Sequence, residues 1–149
     1  ELIYKQSSKE NFHLATIYPW VIESLKKIQD HHIKIGIVTS KDEERTNIIL
    51  NQFPVKFSSI QTPNSNFRGK PAPDHLLVAI AELNIDPTDS LYVGDAEVDA
   101  LAALRAGIDY CHANWGYGKT QLGHVTFLSD IQSLLLVLGL IESSDKISC

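Results

Sequence analysis

The sequence predicts an α/β fold, a three-layer sandwich in which a mainly parallel sheet is covered by helices on both faces. Helical and strand patterns alternate along the whole chain. The strand candidates are short apolar runs rich in β-branched residues, as expected of strands buried on both sides. The residues able to do chemistry fall just after strand ends, where open α/β sheets place their ligands. The chain has 149 residues, 44% of them hydrophobic and 21% charged, enough apolar material for the core of one domain.

Pro19 opens a helical pattern in which Val21, Ile22, Leu25 and Ile28 share one face and Lys26 and Lys27 the other. Ile33 to Val38 reads as a strand ending at Thr39-Ser40-Lys41, followed by a helix over Asp42 to Asn51 and a short strand over Lys56 to Gln61. Three prolines, two asparagines and a glycine make Thr62 to Pro73 a loop. Asp74 to Asn84 is helical, with Leu76, Leu77, Ile80 and Leu83 on one side, and Asp86-Pro87-Thr88-Asp89 turns the chain into a strand at 90–94. A helix from 96 stops at Gly107, a residue type suited to the left-handed position past a helix end. A strand at 108–112, the Trp115-Gly116-Tyr117-Gly118 segment, a strand near 125–127 and a helix from Ser129 complete the pattern.

A net charge of -5 provides no basic surface for nucleic acid. The apolar stretch at Leu134 to Leu138 is too short to span a bilayer, no secretory signal is recognisable, and a cytoplasmic location is the default expectation. Cys111 and Cys149 offer neither a disulfide framework nor metal-ligand spacing.

Three loops carry candidate site residues. After the first strand, the hydroxyl of Thr39 or Ser40 can bind a phosphate oxygen or cap the following helix. In Arg68-Gly69-Lys70-Pro71-Ala72-Pro73-Asp74, Gly69 is expected to allow close backbone approach and the prolines to fix the chain, aiming Lys70; otherwise Lys70 is merely solvated. A fixed ammonium suits developing negative charge on a phosphoryl group. In Leu91-Tyr92-Val93-Gly94-Asp95-Ala96-Glu97-Val98-Asp99, two carboxylates four residues apart lie at a strand's end. Asp95 can be a helix cap and Asp99 a first-turn charge, or the two can serve a divalent cation, oxygen ligands suiting Mg²⁺ better than zinc. His112 reads as a hydrogen-bonded structural residue, and Trp115 and Tyr117 as packing more than substrate contact.

In order, these segments resemble the haloacid dehalogenase-like hydrolase superfamily. Thr39 matches its second motif, Lys70 its third and Gly94-Asp95-x-x-x-Asp99 its fourth. Tyr18-Pro19-Trp20-Val21, Gly69 to Asp74, Ala102 to Gly107 and Trp115 to Gly118 are similar to its phosphoglycolate-phosphatase-like branch, and the resemblance spans roughly residues 18 to 138. Receiver domains share the residue types, but their acidic residues precede the Thr and Lys. The resemblance implies a Rossmann-like core and Mg²⁺-dependent hydrolysis of a small phosphorylated metabolite through an aspartyl-phosphate. It makes Thr39 and Lys70 catalytic; Thr39, Ser40 and Lys70 phosphate-binding; and Asp95 and Asp99 metal-associated, Asp99 supporting either the metal or Lys70. Ser40 stands where relatives often carry asparagine.

One departure is large. No Asp-x-Asp occurs in this sequence, so the nucleophile and general acid of the family's first strand lie outside it, and this chain alone is expected to be inactive. Residues 1–17 are expected to be the remnant of a cap helix and its connection, and 18–149 the core domain. The family's first strand is central, between the strands at 33–38 and 90–94. Its loss leaves a slot to be filled by an upstream segment, another chain or Leu2-Ile3-Tyr4, unless the flanking strands pair directly, because an unpaired buried backbone group costs about 1–3 kcal/mol. The alternative function is an inactive fragment or descendant acting as a binding or interaction module, associating through unpaired strand edges.

Overall fold

A computed structural model describes residues 17–142. Residues 1–16, including Leu2-Ile3-Tyr4 and nearly all of the expected cap remnant, lie outside the described residues, as does Cys149. The elements follow the expected order: α1 (Val21–Asp30), β1 (Gly36–Val38), α2 (Glu43–Leu50), β2 (Ser59–Gln61), α3 (Asp74–Leu83), a 3₁₀ turn (Pro87–Asp89), β3 (Leu91–Gly94), α4 (Glu97–Ala106), β4 (Asp109–Ala113), β5 (Thr126–Leu128) and α5 (Ile131–Val137).

Local chemistry sets the boundaries. Asp42 caps α2 by accepting from the Arg45 amide at 2.9 Å, and Asp130 caps α5 through the Ser133 amide at 2.7 Å, so both helices start slightly later than expected. Gly107 ends α4 in the left-handed region at φ 70°. Trp20 precedes α1 at φ 65°, an uncommon conformation for a bulky residue.

The strands are all parallel, but they form two sheets. β1 pairs with β2, Gly36 opposite Ser59 and Val38 opposite Gln61; β3, β4 and β5 form the second sheet in that order. Among the described residues β1 and β3 do not pair, so the single sheet expected from the sequence is divided at the slot beside β1. β1 is also shorter than the apolar run 33–38, since its ladder has one partner strand, extended by the Ser58 amide to the Ile35 carbonyl (2.8 Å) and the Thr39 amide to the Gln61 carbonyl (3.0 Å).

Two apolar clusters hold the sheets in one three-layer body. On one face Leu76 and Ile80 of α3 meet Ala102, Ala103 and Ala106 of α4, with Val38 and Tyr92 packed against them. On the other, Ile28, Leu134 and Leu135 from α1 and α5 cover Cys111 and Leu128, with Ile35, Leu91 and Val93 against them. Alternation along β3 therefore sends Tyr92 towards α3 and α4, and Leu91 and Val93 the other way. Leu128 is among the largest fully buried side chains. Leu128→Ala is expected to cost about 2–5 kcal/mol in urea unfolding; a loss below about 1 kcal/mol would show that α5 does not seal this cluster.

Candidate active site

The carboxyl ends of β1 and β3 and the loop before α3 converge. Two tethers fix that loop. Arg68 donates through Nε and Nη2 to both oxygens of Asp74 (3.1 and 3.0 Å), and its amide adds a third bond to Asp74 Oδ2. This hydrogen bonding holds the Asp74 carboxyl below its usual range. From α4, Arg105 Nη1 donates to the Pro71 carbonyl at 2.7 Å. Gly69 plays a different part from the one expected: a Cβ there would meet nothing within 4 Å, so the aim of Lys70 comes from the arginine tethers and not from a close approach at the glycine.

Lys70 is thereby held, largely buried, against Asp99. Its Nζ donates to Asp99 Oδ1 at 2.6 Å and to the Tyr92 hydroxyl at 3.1 Å. The other Asp99 oxygen accepts from the amides of Asp95 (3.2 Å) and Ala96 (3.0 Å). Asp99 reaches them because residue 94 is glycine; a Cβ there would lie 2.6 Å from that of Asp99. Both oxygens of Asp99 are thus engaged, and its contacts describe support of Lys70 and of the helix start. Asp95 does not cap α4: the N-cap is Ala96. Asp95 accepts from the Tyr117 amide at Oδ2 (2.9 Å), and Oδ1 has no hydrogen-bond partner among the described residues.

Thr39 also escapes the capping role, which Asp42 takes. Its Oγ1 accepts from the Lys41 amide at 3.1 Å, which leaves the hydroxyl hydrogen free to donate. Ser40 is exposed on the same turn. The preceding residue connects this turn to the rest: the Val38 carbonyl lies 3.3 Å from the Tyr92 hydroxyl, itself in contact with Lys70 and Asp99.

Tyr92 is a residue of the site that sequence reasoning missed. Burial, aided by the Asp99 charge, pushes its phenol far above the ordinary value. The available signal was a lone hydroxyl between Leu91 and Val93 on a buried strand, since a buried phenol needs a polar partner. Tyr110, whose hydroxyl donates to the Gly94 carbonyl at 2.9 Å and meets His112 Nδ1 at 3.0 Å, was missed likewise. His112 is buried and structural, as expected. Trp115 packs on the second cluster, whereas Tyr117 is 97% exposed and does not pack. Burial raises the Cys111 thiol, so it is no nucleophile.

No group of three or more His, Cys, Asp or Glu side chains fit to hold a metal occurs among the described residues. Of Asp95 and Asp99, it is Asp95 that keeps a carboxylate oxygen uncommitted among the described residues, which suits Mg²⁺ in kind, because that ion is commonly held by one or two carboxylates with phosphate and water completing its shell.

Fold and site together define a Rossmann-like three-layer α/β protein with a lysine–carboxylate cluster at the carboxyl ends of its strands. The sequence profile of the haloacid dehalogenase-like hydrolases matches residues 2–113, and the chain belongs to that family. It is similar to phosphoglycolate phosphatase 1 of Pseudomonas aeruginosa, 27% identical over 117 residues covering 77% of this chain and 43% of the relative. With pyrophosphatase PpaX of Bacillus pumilus it shares 33% identity over 104 residues, 68% of this chain and 48% of that protein. The chain spans about half the length of these curated relatives. Among solved structures, a HAD-superfamily hydrolase from Geobacter sulfurreducens superposes with a TM-score of 0.74 at 25% identity, covering 87% of this chain and 60% of the other. A HAD-superfamily hydrolase from Ehrlichia chaffeensis shares the fold at TM-score 0.72 and 21% identity, covering 85% and 60%.

Breaking the buried pair on one side is expected to cost far more than removing it whole. Asp99→Ala, which strands the Lys70 ammonium, should lose about 3–5 kcal/mol in urea unfolding, and the double variant Lys70→Met with Asp99→Leu clearly less than the two single losses summed. Strict additivity would show the two groups to be uncoupled. The raised Tyr92 pKa gives a second expectation. The unfolded chain loses the phenol proton above about pH 10, while the folded chain keeps it. Stability contributed by Tyr92 is therefore complete below pH 10 and falls as pH rises through the alkaline range. Thermal unfolding midpoints from pH 8 to 11 should decline less steeply for Tyr92→Phe; parallel curves would refute this.

Proposed function

We propose that this chain supplies the phosphate-holding and cation-holding part of a phosphate monoester hydrolase acting on a small phosphorylated metabolite of the phosphoglycolate type. The observation that carries the reading is the Lys70–Asp99 pair, buried and immobilised beside an Asp95 carboxylate that keeps one oxygen uncommitted. A protein with no anion to handle has little reason to bury an ammonium at a sheet's edge, since burial of charge is costly even when paired. The phosphatase and pyrophosphatase relatives agree with this reading.

In this scheme Lys70 offsets negative charge on the phosphoryl oxygens, and the Thr39 hydroxyl donates to one of them, with Ser40 at its side. Asp95 would be the direct carboxylate ligand of Mg²⁺, and Asp99 would hold Lys70 and the start of α4 in place. Bound Mg²⁺ would supply positive charge against the phosphate. The nucleophile belongs to a strand lying in the slot between β1 and β3 and carrying an Asp-x-Asp pair. Its carboxylate oxygen forms a bond to phosphorus as the phosphorus–oxygen bond to the alcohol breaks; the second aspartic acid gives that alcohol its proton, and water then releases phosphate from the aspartyl-phosphate.

The test is turnover of p-nitrophenyl phosphate and 2-phosphoglycolate with Mg²⁺ by a polypeptide that joins these residues to such a strand. Asp95→Asn is expected to lower kcat/KM by about a hundredfold or more, and the 149-residue chain alone to show no turnover. Equal rates for Asp95→Asn and the parent would overturn the assignment. Phosphate binding with no turnover in any form would favour a binding module.

A further inference from the structure

We propose that residues 115–121 form a rigid main-chain seat that orients the Asp95 carboxylate for a cation, with Gly116, the Tyr117 amide and Gly118 as positioning elements. The inference rests on the Mg²⁺ reading of Asp95 given above and extends it to a segment with no role there.

The seat is built from independent contacts. The Tyr117 amide donates to Asp95 Oδ2 at 2.9 Å, while Oδ1 has no hydrogen-bond partner among the described residues. A Cβ on Gly116 would overlap the Asp95 side chain, its Cγ at 2.6 Å. A Cβ on Gly118 would overlap the Asp95 carbonyl oxygen and lie 2.9 Å from the Ala96 Cα. Neither glycine has a positive φ, so what requires glycine at 116 and 118 is the space occupied by Asp95 and not an unusual backbone conformation. The Tyr117 side chain, almost wholly exposed, contributes no packing to the seat; the main chain does the positioning.

The seat is itself anchored on several sides. The Gly116 amide bonds the Ala113 carbonyl at 3.1 Å and the Asn114 amide the Leu128 carbonyl at 3.0 Å, fastening the loop to β4 and β5. The Tyr18 hydroxyl donates to the Trp115 carbonyl at 3.2 Å. Beyond the glycines, the Gln121 amide donates to Glu97 Oε2 at 3.0 Å, tying the far end of the loop to the first turn of α4. A carboxylate held at one oxygen by an amide, with Gly116 against its side chain and Gly118 against its main chain, has little rotational freedom left to lose when its other oxygen meets a cation. Outer contacts of this kind typically change metal affinity about 10- to 100-fold.

The experiment is a Mg²⁺ titration in the presence of inorganic phosphate, followed by calorimetry and by backbone amide signals, on the parent chain and single variants, with thermal unfolding recorded for each. Gly116→Ala and Gly118→Ala are expected to weaken Mg²⁺ binding about 10- to 100-fold. Gly123→Ala, in the same loop but with nothing within 4 Å of the added Cβ, should leave it unchanged. Should the first two variants fold poorly, hydrogen exchange in the parent decides: the Tyr117 amide should be protected, and Asp95→Ala should speed its exchange at least tenfold. Unaltered Mg²⁺ affinity in Gly116→Ala, or a Tyr117 amide insensitive to Asp95→Ala, overturns the seat. Protection that depends on Asp95 in a parent chain that binds no Mg²⁺ overturns the cation assignment instead, and with it the metal part of the proposed function.

Discussion

The contact between Lys70 and Asp99 is the constraint around which the strand ends are organised. Placing an ammonium and a carboxylate where both side chains are nearly buried costs desolvation that their mutual attraction offsets only when the remaining donors and acceptors are also satisfied. Each surrounding feature meets part of that requirement. Tyr92 accepts from the ammonium; the Asp95 and Ala96 amides occupy the second carboxylate oxygen; Gly94 leaves room for the Asp99 side chain; Arg68 and Arg105 hold the loop that delivers the lysine. Remove any of these and a buried charge loses either its place or its partner.

Much of this was legible in the residues. Among the described residues, patterns of 3.6 and 2 locate the five helices and five strands to within a few positions, because each element buries a continuous apolar face and several end in recognisable chemistry such as Asp42, Asp130 and Gly107. Thr39, Lys70, Asp95 and Asp99 stood out as candidates because open α/β sheets place ligands past their strand ends; in the structure Lys70 meets Asp99, and the Thr39 turn is linked to them through the Val38 carbonyl and the Tyr92 hydroxyl. Which local role each residue takes was not legible. Whether Thr39 or Asp42 caps α2 depends on where the first turn begins, and that is decided by a single amide bond. Tyr92 escaped because its importance comes from partners 22 and 54 positions away, which no local pattern displays. Gly69 misled for the opposite reason: the residue type permits a close approach that the tertiary structure does not use.

The division into two sheets has the same long-range origin. Alternating apolar strands imply a sheet, but the pairing of β1 with β3 depends on what lies between them. In the described residues the two sheets are joined by helices on both faces and by the Tyr92 hydroxyl reaching the Val38 carbonyl. The half-buried Ile37, Val38, Leu91 and Val93 beside the slot are apolar residues of the kind that parallel sheets ordinarily cover completely.

The alanines of α4 have an influence well beyond filling space. Ala102 and Ala103 have no exposed surface, and with Ala100 and Ala106 they let the helix axis lie close against β3 and β4. They act as shims: their missing methylenes set the height at which Asp99, one turn earlier, meets Gly94 and the Lys70 ammonium. Thickening a shim by two carbons would lift the whole helix and open the ion pair from behind, without altering any residue that touches it. Tolerance to change in this stretch of core is therefore lopsided: a larger side chain there would strain the packing and loosen the Lys70–Asp99 contact together.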